Sequence, residues 1–158
     1  MARRVFISYQ HKDRMKAKGF NLLRWNKNVD LEFVGRHLLD PVDSDNEGYI
    51  SQKVKEELAG TSVTIVLLGK ETSQSGWVQW EIEQSLEKKN GILAIKLAGD
   101  VPTPAKDSPV GKALDDAGAE IIDWKPETFD AAIERAFKAA GRARSVAAAA
   151  GSDSNCGR

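Results

Sequence analysis

Cysteine occurs once in the 158 residues, as Cys156, and histidine twice, as His11 and His37. One thiol can neither close an internal disulfide nor build a cysteine metal cluster. The histidines stand far apart with no paired ligand spacing, so both read as polar loop or strand-end residues and no metal is expected. Net charge is lacking too, since 23 basic and 23 acidic residues cancel. No global field then favours nucleic acid or an anionic membrane surface. No apolar run approaches the roughly 20 residues of a membrane span. The start MARRVFISY enters a strand without a signal-peptide core, so a cytoplasmic protein is expected. A glycine-rich dinucleotide fingerprint and a P-loop lysine are both missing, so neither hydride transfer nor triphosphate hydrolysis is indicated. There is no internal repeat.

The length suits one domain, expected over residues 1–140, and the Ala-, Gly- and Ser-rich stretch 141–158 reads as a fraying helix end and disordered tail. Arg4–Tyr9 is predicted as the first strand, with Phe6 and Ser8 alternating against Val5 and Ile7. Gln10 to Asp13 forms the loop at its carboxyl end, and Asp13 can cap a helix reaching Trp25 or Asn28. Leu31–Leu39 contains the second strand. Asp40–Gly48 is dense in acids and turn formers and reads as a loop. Its Asp43, Asp45 and Glu47 lack the glycine and terminal glutamate of an EF-hand, so a solvated loop is favoured over a calcium site. Tyr49–Leu58 is predicted helical, with Ile50, Val54 and Leu58 on its core face.

Val63–Leu68 is a short, β-branched-rich apolar run ending at Gly69, as a central parallel strand covered on both faces requires. Ile92–Leu97 is the fourth strand, announced by Asn90-Gly91 at the preceding helix end. Ala98–Ala119 reads as an irregular, proline-bearing surface segment with a short helix over Val110–Ala117. Glu120–Trp124 is the fifth strand, and Pro126 opens a last helix with Phe129, Ile133 and Phe137 inward. This alternation predicts an α/β fold: a flavodoxin-like, open parallel five-stranded sheet in the order 2-1-3-4-5 with helices on both faces. Ligands of such sheets bind beyond the carboxyl ends of the strands, which points to Gly69–Gly76. The ends of strands one and three then lie side by side. Ser8, Tyr9, His11 and Lys12 face Thr72, Ser75 and Trp77, with Glu81 alongside.

On a wheel of about 100° per residue, Val78, Ile82, Ser85 and Leu86 make one stripe that packs on the sheet, while Glu83 and Glu87 point to solvent. Glu81 falls on the flank of that stripe, one turn after Trp77, at a boundary position. By spacing alone a flanking helical glutamate is an ordinary solvated or salt-bridged residue.

Ser75-Gly76-Trp77-Val78-Gln79-Trp80-Glu81 resembles the serine, tryptophan and glutamate pattern of TIR domains, and Val5-Phe6-Ile7-Ser8-Tyr9 resembles their first strand motif. With Gly60-Thr61-Ser62-Val63-Thr64 and Gly69-Lys70-Glu71-Thr72, residues 3–100 are similar to the TIR-like branch that serves as signal-producing subunit of the bacterial Thoeris anti-phage defence system. The chain departs from the common pattern in two places: Val78 stands where a cysteine is usual, and Asp40–Gly48 does not match the common loop.

The resemblance implies a TIR-like fold in which Glu81 is the catalytic residue of an NAD glycohydrolase or ADP-ribosyl cyclase. NAD is then the substrate, with no further cofactor, and Ser8, Tyr9, His11, Lys12, Asp45, Thr72, Ser75 and Trp77 are the candidate substrate contacts. A cyclic ADP-ribose-type product would diffuse to a separate effector protein, and a homo-oligomer is a further expectation. Two other readings stand beside it. One is a non-catalytic TIR-like module that binds a partner or nucleotide; the other is nucleoside deoxyribosyl transfer on a related fold.

Overall fold

β3 (Val63–Leu68) is buried along its whole length, which requires cover on both faces of the sheet. The computed structural model describes residues 3–10, 31–34, 52, 54–56 and 58–156. It is an α/β arrangement on a parallel sheet. β1 (Arg3–Ser8) lies between β2 (Leu31–Val34) and β3, with Val5 registered on both Phe33 and Val63. β4 (Gly91–Lys96) pairs along the other side of β3, and the short β5 (Glu120–Ile122) pairs with β4.

Helices cover both faces. Val66, Leu68, Ile92 and Ala94 meet Val78 and Ile82 of α1 (Gly76–Glu87) and Val110 and Leu114 of α2 (Pro109–Asp116). On the opposite face Ile7, Ile65, Leu93 and Ile95 meet Phe129 and Ile133 of α3 (Pro126–Cys156), which continues past residue 141. Each fully buried side chain of this size contributes roughly 1.5–3 kcal/mol over an exposed one. Alternation along β1 sends Val5 and Ile7 to the α3 side and leaves Phe6 and Ser8 on the α1 side. There Phe6 joins Val54, Leu58, Trp77 and Trp80 in a third cluster.

Several boundaries differ from expectation for local reasons. β5 stops at Ile122 instead of Trp124, whose ring turns edge-on to Phe129 with centroids 5.3 Å apart. Pro109 opens α2 at its first turn, behind the Ser108 cap, and is not part of the extended segment. Asn90-Gly91 was expected at the end of α1, but Lys89 takes the left-handed conformation there, at φ 67°. Gly91 serves a different purpose: a Cβ on it would overlap the carbonyl of Ala136, so its absence lets α3 lie directly on the start of β4. The expected helix from Asp13, the loop Asp40–Gly48, His37 and Ile50 lie outside the described residues.

Among the described residues no group of three or more His, Cys, Asp or Glu could hold a metal ion. No helix among them is long and apolar enough to cross a membrane.

Candidate active site

The site is assembled where β3 hands over to α1. Beyond Leu68 the chain closes on itself: the Gly69 N–H donates to Thr72 Oγ1 at 2.8 Å, and a turn of 3-10 helix follows over Thr72–Gln74. Ser75 then caps α1, its hydroxyl accepting from the Val78 N–H at 3.2 Å. Such a cap satisfies one of the four orphan donors at a helix start and fixes where the helix begins. Two of the expected substrate contacts, Thr72 and Ser75, thus shape the backbone that launches the helix. Trp77, another of them, stacks on Trp80 at 4.9 Å with 18° between the rings, and the pair packs toward Phe6.

Glu81 is not at a boundary, as the wheel suggests, but has no exposed surface. The buried stripe of α1 is Val78, Glu81, Ile82 and Ser85, whereas Leu86 is only half-buried. The face is rolled toward Glu81, which meets the hydroxyl of Ser8 on β1. Ser8 Oγ donates to Glu81 Oε1 at 2.8 Å, and Ser8 is itself 0% exposed. A buried carboxylate needs such a donor, since taking its charge out of water without compensation is prohibitive. Ser8 is the last residue of β1, in register with Val66 of β3, so this pair sits at the carboxyl end of the sheet's centre.

Ser8 and Glu81 are therefore brought together. Tyr9 goes the other way and is buried in the cluster under α3 with Val5 and Ile7. His11, Lys12 and Asp45 lie outside the described residues. The sequence reading placed Ser85 on the buried stripe but gave no role to it or to Thr64 and Asn90, polar side chains behind Glu81 that are all buried and linked through Thr64. A signal existed, because Thr64 interrupts an apolar strand and Ser85 an apolar helix stripe on facing surfaces.

Open clefts of about 500 and 560 Å³ lie elsewhere. One is at the amino ends of β4 and β5 beside Lys89 and Lys138, the other beside Lys96 and Asp123. Neither is lined by Ser8 or Glu81. Cavity size is a weaker guide here than Glu81, because an acidic side chain with no exposed surface and a hydroxyl donor at the carboxyl end of a parallel strand is uncommon in a purely structural core. Arg135, which lines both clefts, grips Glu120 through two nitrogens at 3.0 and 2.9 Å, and Lys70 meets Asp100 at 2.9 Å on the exposed surface. The Arg135 guanidinium holds the Glu120 carboxyl below its ordinary range.

A family model described as Thoeris protein ThsB, TIR-like domain, matches residues 6–101, a span that includes both Ser8 and Glu81. A protein of Bacillus cereus (strain MSX-D12) named "Putative cyclic ADP-D-ribose synthase ThsB1" is 30% identical over 102 residues, 61% of this chain and 53% of that protein. The chain spans about half the length of that relative.

Proposed function

Because the chain belongs to the TIR-like domain family of the Thoeris protein ThsB, we propose that it cleaves the nicotinamide–ribose bond of NAD and makes a cyclic ADP-ribose-type signal. The observation that carries this reading is the buried Glu81 carboxylate, held by Ser8 at the carboxyl end of the sheet. The name of the Bacillus cereus relative, a cyclic ADP-D-ribose synthase, supports the same chemistry.

Nicotinamide leaves NAD as a neutral base from a cationic nitrogen, so no general acid is needed. The barrier lies in the oxocarbenium character that develops on the ribose, and a carboxylate fixed close to it lowers that barrier. In a water-excluded site the charge acts more strongly than it would in solution. Glu81 supplies the carboxylate and Ser8 keeps it oriented. When water adds to the anomeric carbon and loses its proton, ADP-ribose results. When a nucleophile of the same molecule is held closer, it forms the new bond instead and a cyclic isomer results, because the effective molarity of a well-placed internal group is very high. In this reading Thr72, Ser75, Trp77, His11, Lys12 and Asp45 are the substrate contacts, on the sequence alone, while Tyr9, buried under α3, is not among them.

Since Glu81 has no exposed surface, substrate reaches it only after the chain around it opens. Basal turnover is therefore low, and an infection cue that favours the open form raises it. The product then diffuses through the cytoplasm to a separate effector. The same burial is the observation that favours a second reading, an interaction module in which Glu81 and Ser8 only hold α1 in place.

NAD consumption with mass-resolved products separates the two. In phage-challenged cells and their lysates, wild type should deplete NAD and yield a product of cyclic ADP-ribose mass, and Glu81→Gln, with folding intact, should not. Equal behaviour of the two folded proteins under every trigger would rule out the catalytic reading.

A further inference from the structure

Behind Glu81, between α1 and β3, runs a chain of hydrogen bonds that the NAD chemistry does not use. Asn90 Nδ2 donates to Thr61 Oγ1 at 3.0 Å and to Thr64 Oγ1 at 3.3 Å. Thr64 Oγ1 donates to Ser85 Oγ at 2.7 Å, and Ser85 Oγ donates in turn to the main-chain carbonyl of Glu81 at 2.8 Å. Thr61 passes its own hydrogen to the Leu58 carbonyl at 2.6 Å. Thr64 and Ser85 are 0% exposed, Thr61 and Asn90 4%.

We propose that Thr64 and Ser85 are positioning residues for Glu81, fixing the rotation and depth of α1 on the sheet. The proposal rests on the NAD-cleaving reading of Glu81. Apart from this chain, α1 meets the sheet mainly through Val78 and Ile82, whose apolar contacts have no directional preference and tolerate small slides. Hydrogen bonds restrict both distance and angle. Ser85 follows Glu81 by one turn, about 40° around the helix axis, so pinning one azimuth pins the other. At its amino end the helix is held by the Ser75 cap, and Ser8 touches only the tip of the carboxylate. A buried hydroxyl chain is tolerable only when every member is satisfied, and once satisfied it selects a single register where an all-apolar interface would accept several. Catalysis needs that selectivity, since a displacement of about 1 Å costs on the order of 10²-fold in rate.

The test uses the full chain carrying Thr64→Val, which keeps the shape and removes the hydroxyl, Thr64→Ser, which keeps the hydroxyl, and Ser85→Ala. NAD turnover is read as kcat and KM under activating conditions. Near-ultraviolet circular dichroism of the stacked Trp77 and Trp80, which pack against Phe6, Val54 and Leu58, reports helix placement whether or not NAD is turned over. Thr64→Val should lower kcat by about 10-fold or more with KM within about two-fold, and Thr64→Ser should stay within about three-fold of wild type. The tryptophan signal should change in Thr64→Val and not in Thr64→Ser, with helix content equal in both. Should Thr64→Val fail to fold, Ser85→Ala carries the same expectations, since it leaves the Asn90–Thr64 bond intact. Wild-type kcat and an unaltered tryptophan signal in the hydroxyl-free variants overturn the proposal, as does an equal loss in Thr64→Ser. If Glu81→Gln matches wild type on NAD, the catalytic reading fails, and the tryptophan signal alone still decides whether these hydroxyls place the helix.

Discussion

Replacing Ser8 by alanine removes the hydroxyl that donates to Glu81 Oε1 at 2.8 Å, in a place where neither residue has exposed surface for water to substitute. A hydrogen bond to a charged group contributes about 1.5–3 kcal/mol net, and about 0.5–1.5 kcal/mol when both partners are neutral. Ser8→Ala should therefore destabilise the protein by about 2 kcal/mol, which for a chain of this length lowers Tm by roughly 4–8 °C. In a Glu81→Gln background the acceptor is a neutral amide oxygen, so the same substitution should cost about 1 kcal/mol less. The assay is a double-mutant cycle of denaturant or thermal melts on wild type, Ser8→Ala, Glu81→Gln and the double variant. A coupling near 1 kcal/mol is expected, and it holds whether or not the protein turns over NAD. Strict additivity, with coupling under about 0.3 kcal/mol, would refute the charge-assisted pair and leave Ser8 an ordinary core hydroxyl.

Gly91→Ala should destabilise by about 1–3 kcal/mol, because its Cβ would overlap the Ala136 carbonyl and force β4 and α3 apart. The control is Gly99→Ala, where nothing lies within 4 Å of the added carbon, and a melt that shows the two variants equal would contradict the close approach. The Arg135–Glu120 pair predicts an acid dependence. Arginine lowers the folded-state value of Glu120 below its ordinary 4.5, so the stabilisation is fully present above that value and is lost as pH falls through the lowered one. The Tm gap between wild type and Glu120→Gln should shrink in acid, and also in high salt because both side chains are half-exposed; a gap constant with pH would contradict the pairing.

Val63–Leu68 was readable as a buried parallel strand because five of its six residues are apolar and fall on both faces, as a strand covered on both sides requires. The inward faces of α1 and α3 followed from helical spacing, down to Val78, Ile82, Phe129 and Ile133. The burial of Glu81 did not. A helical wheel is drawn about the helix's own axis and says nothing of what the sheet offers opposite each position. Tyr9 shows the same limit: its place at the end of β1 was plain, yet alternation turned its ring under α3 and away from Glu81.

By itself the sequence determined the α/β class, the central strand, the helix that carries Glu81 and the family pattern around it. Those are properties of local period and composition, written within a few consecutive residues. Tertiary structure alone decided that Ser8, 73 positions away, donates to Glu81, and that Thr64 meets both Ser85 and Asn90 across the interface. Such pairings arise when the sheet's register and the roll of α1 bring distant polar groups into a space without water, where each must find the others.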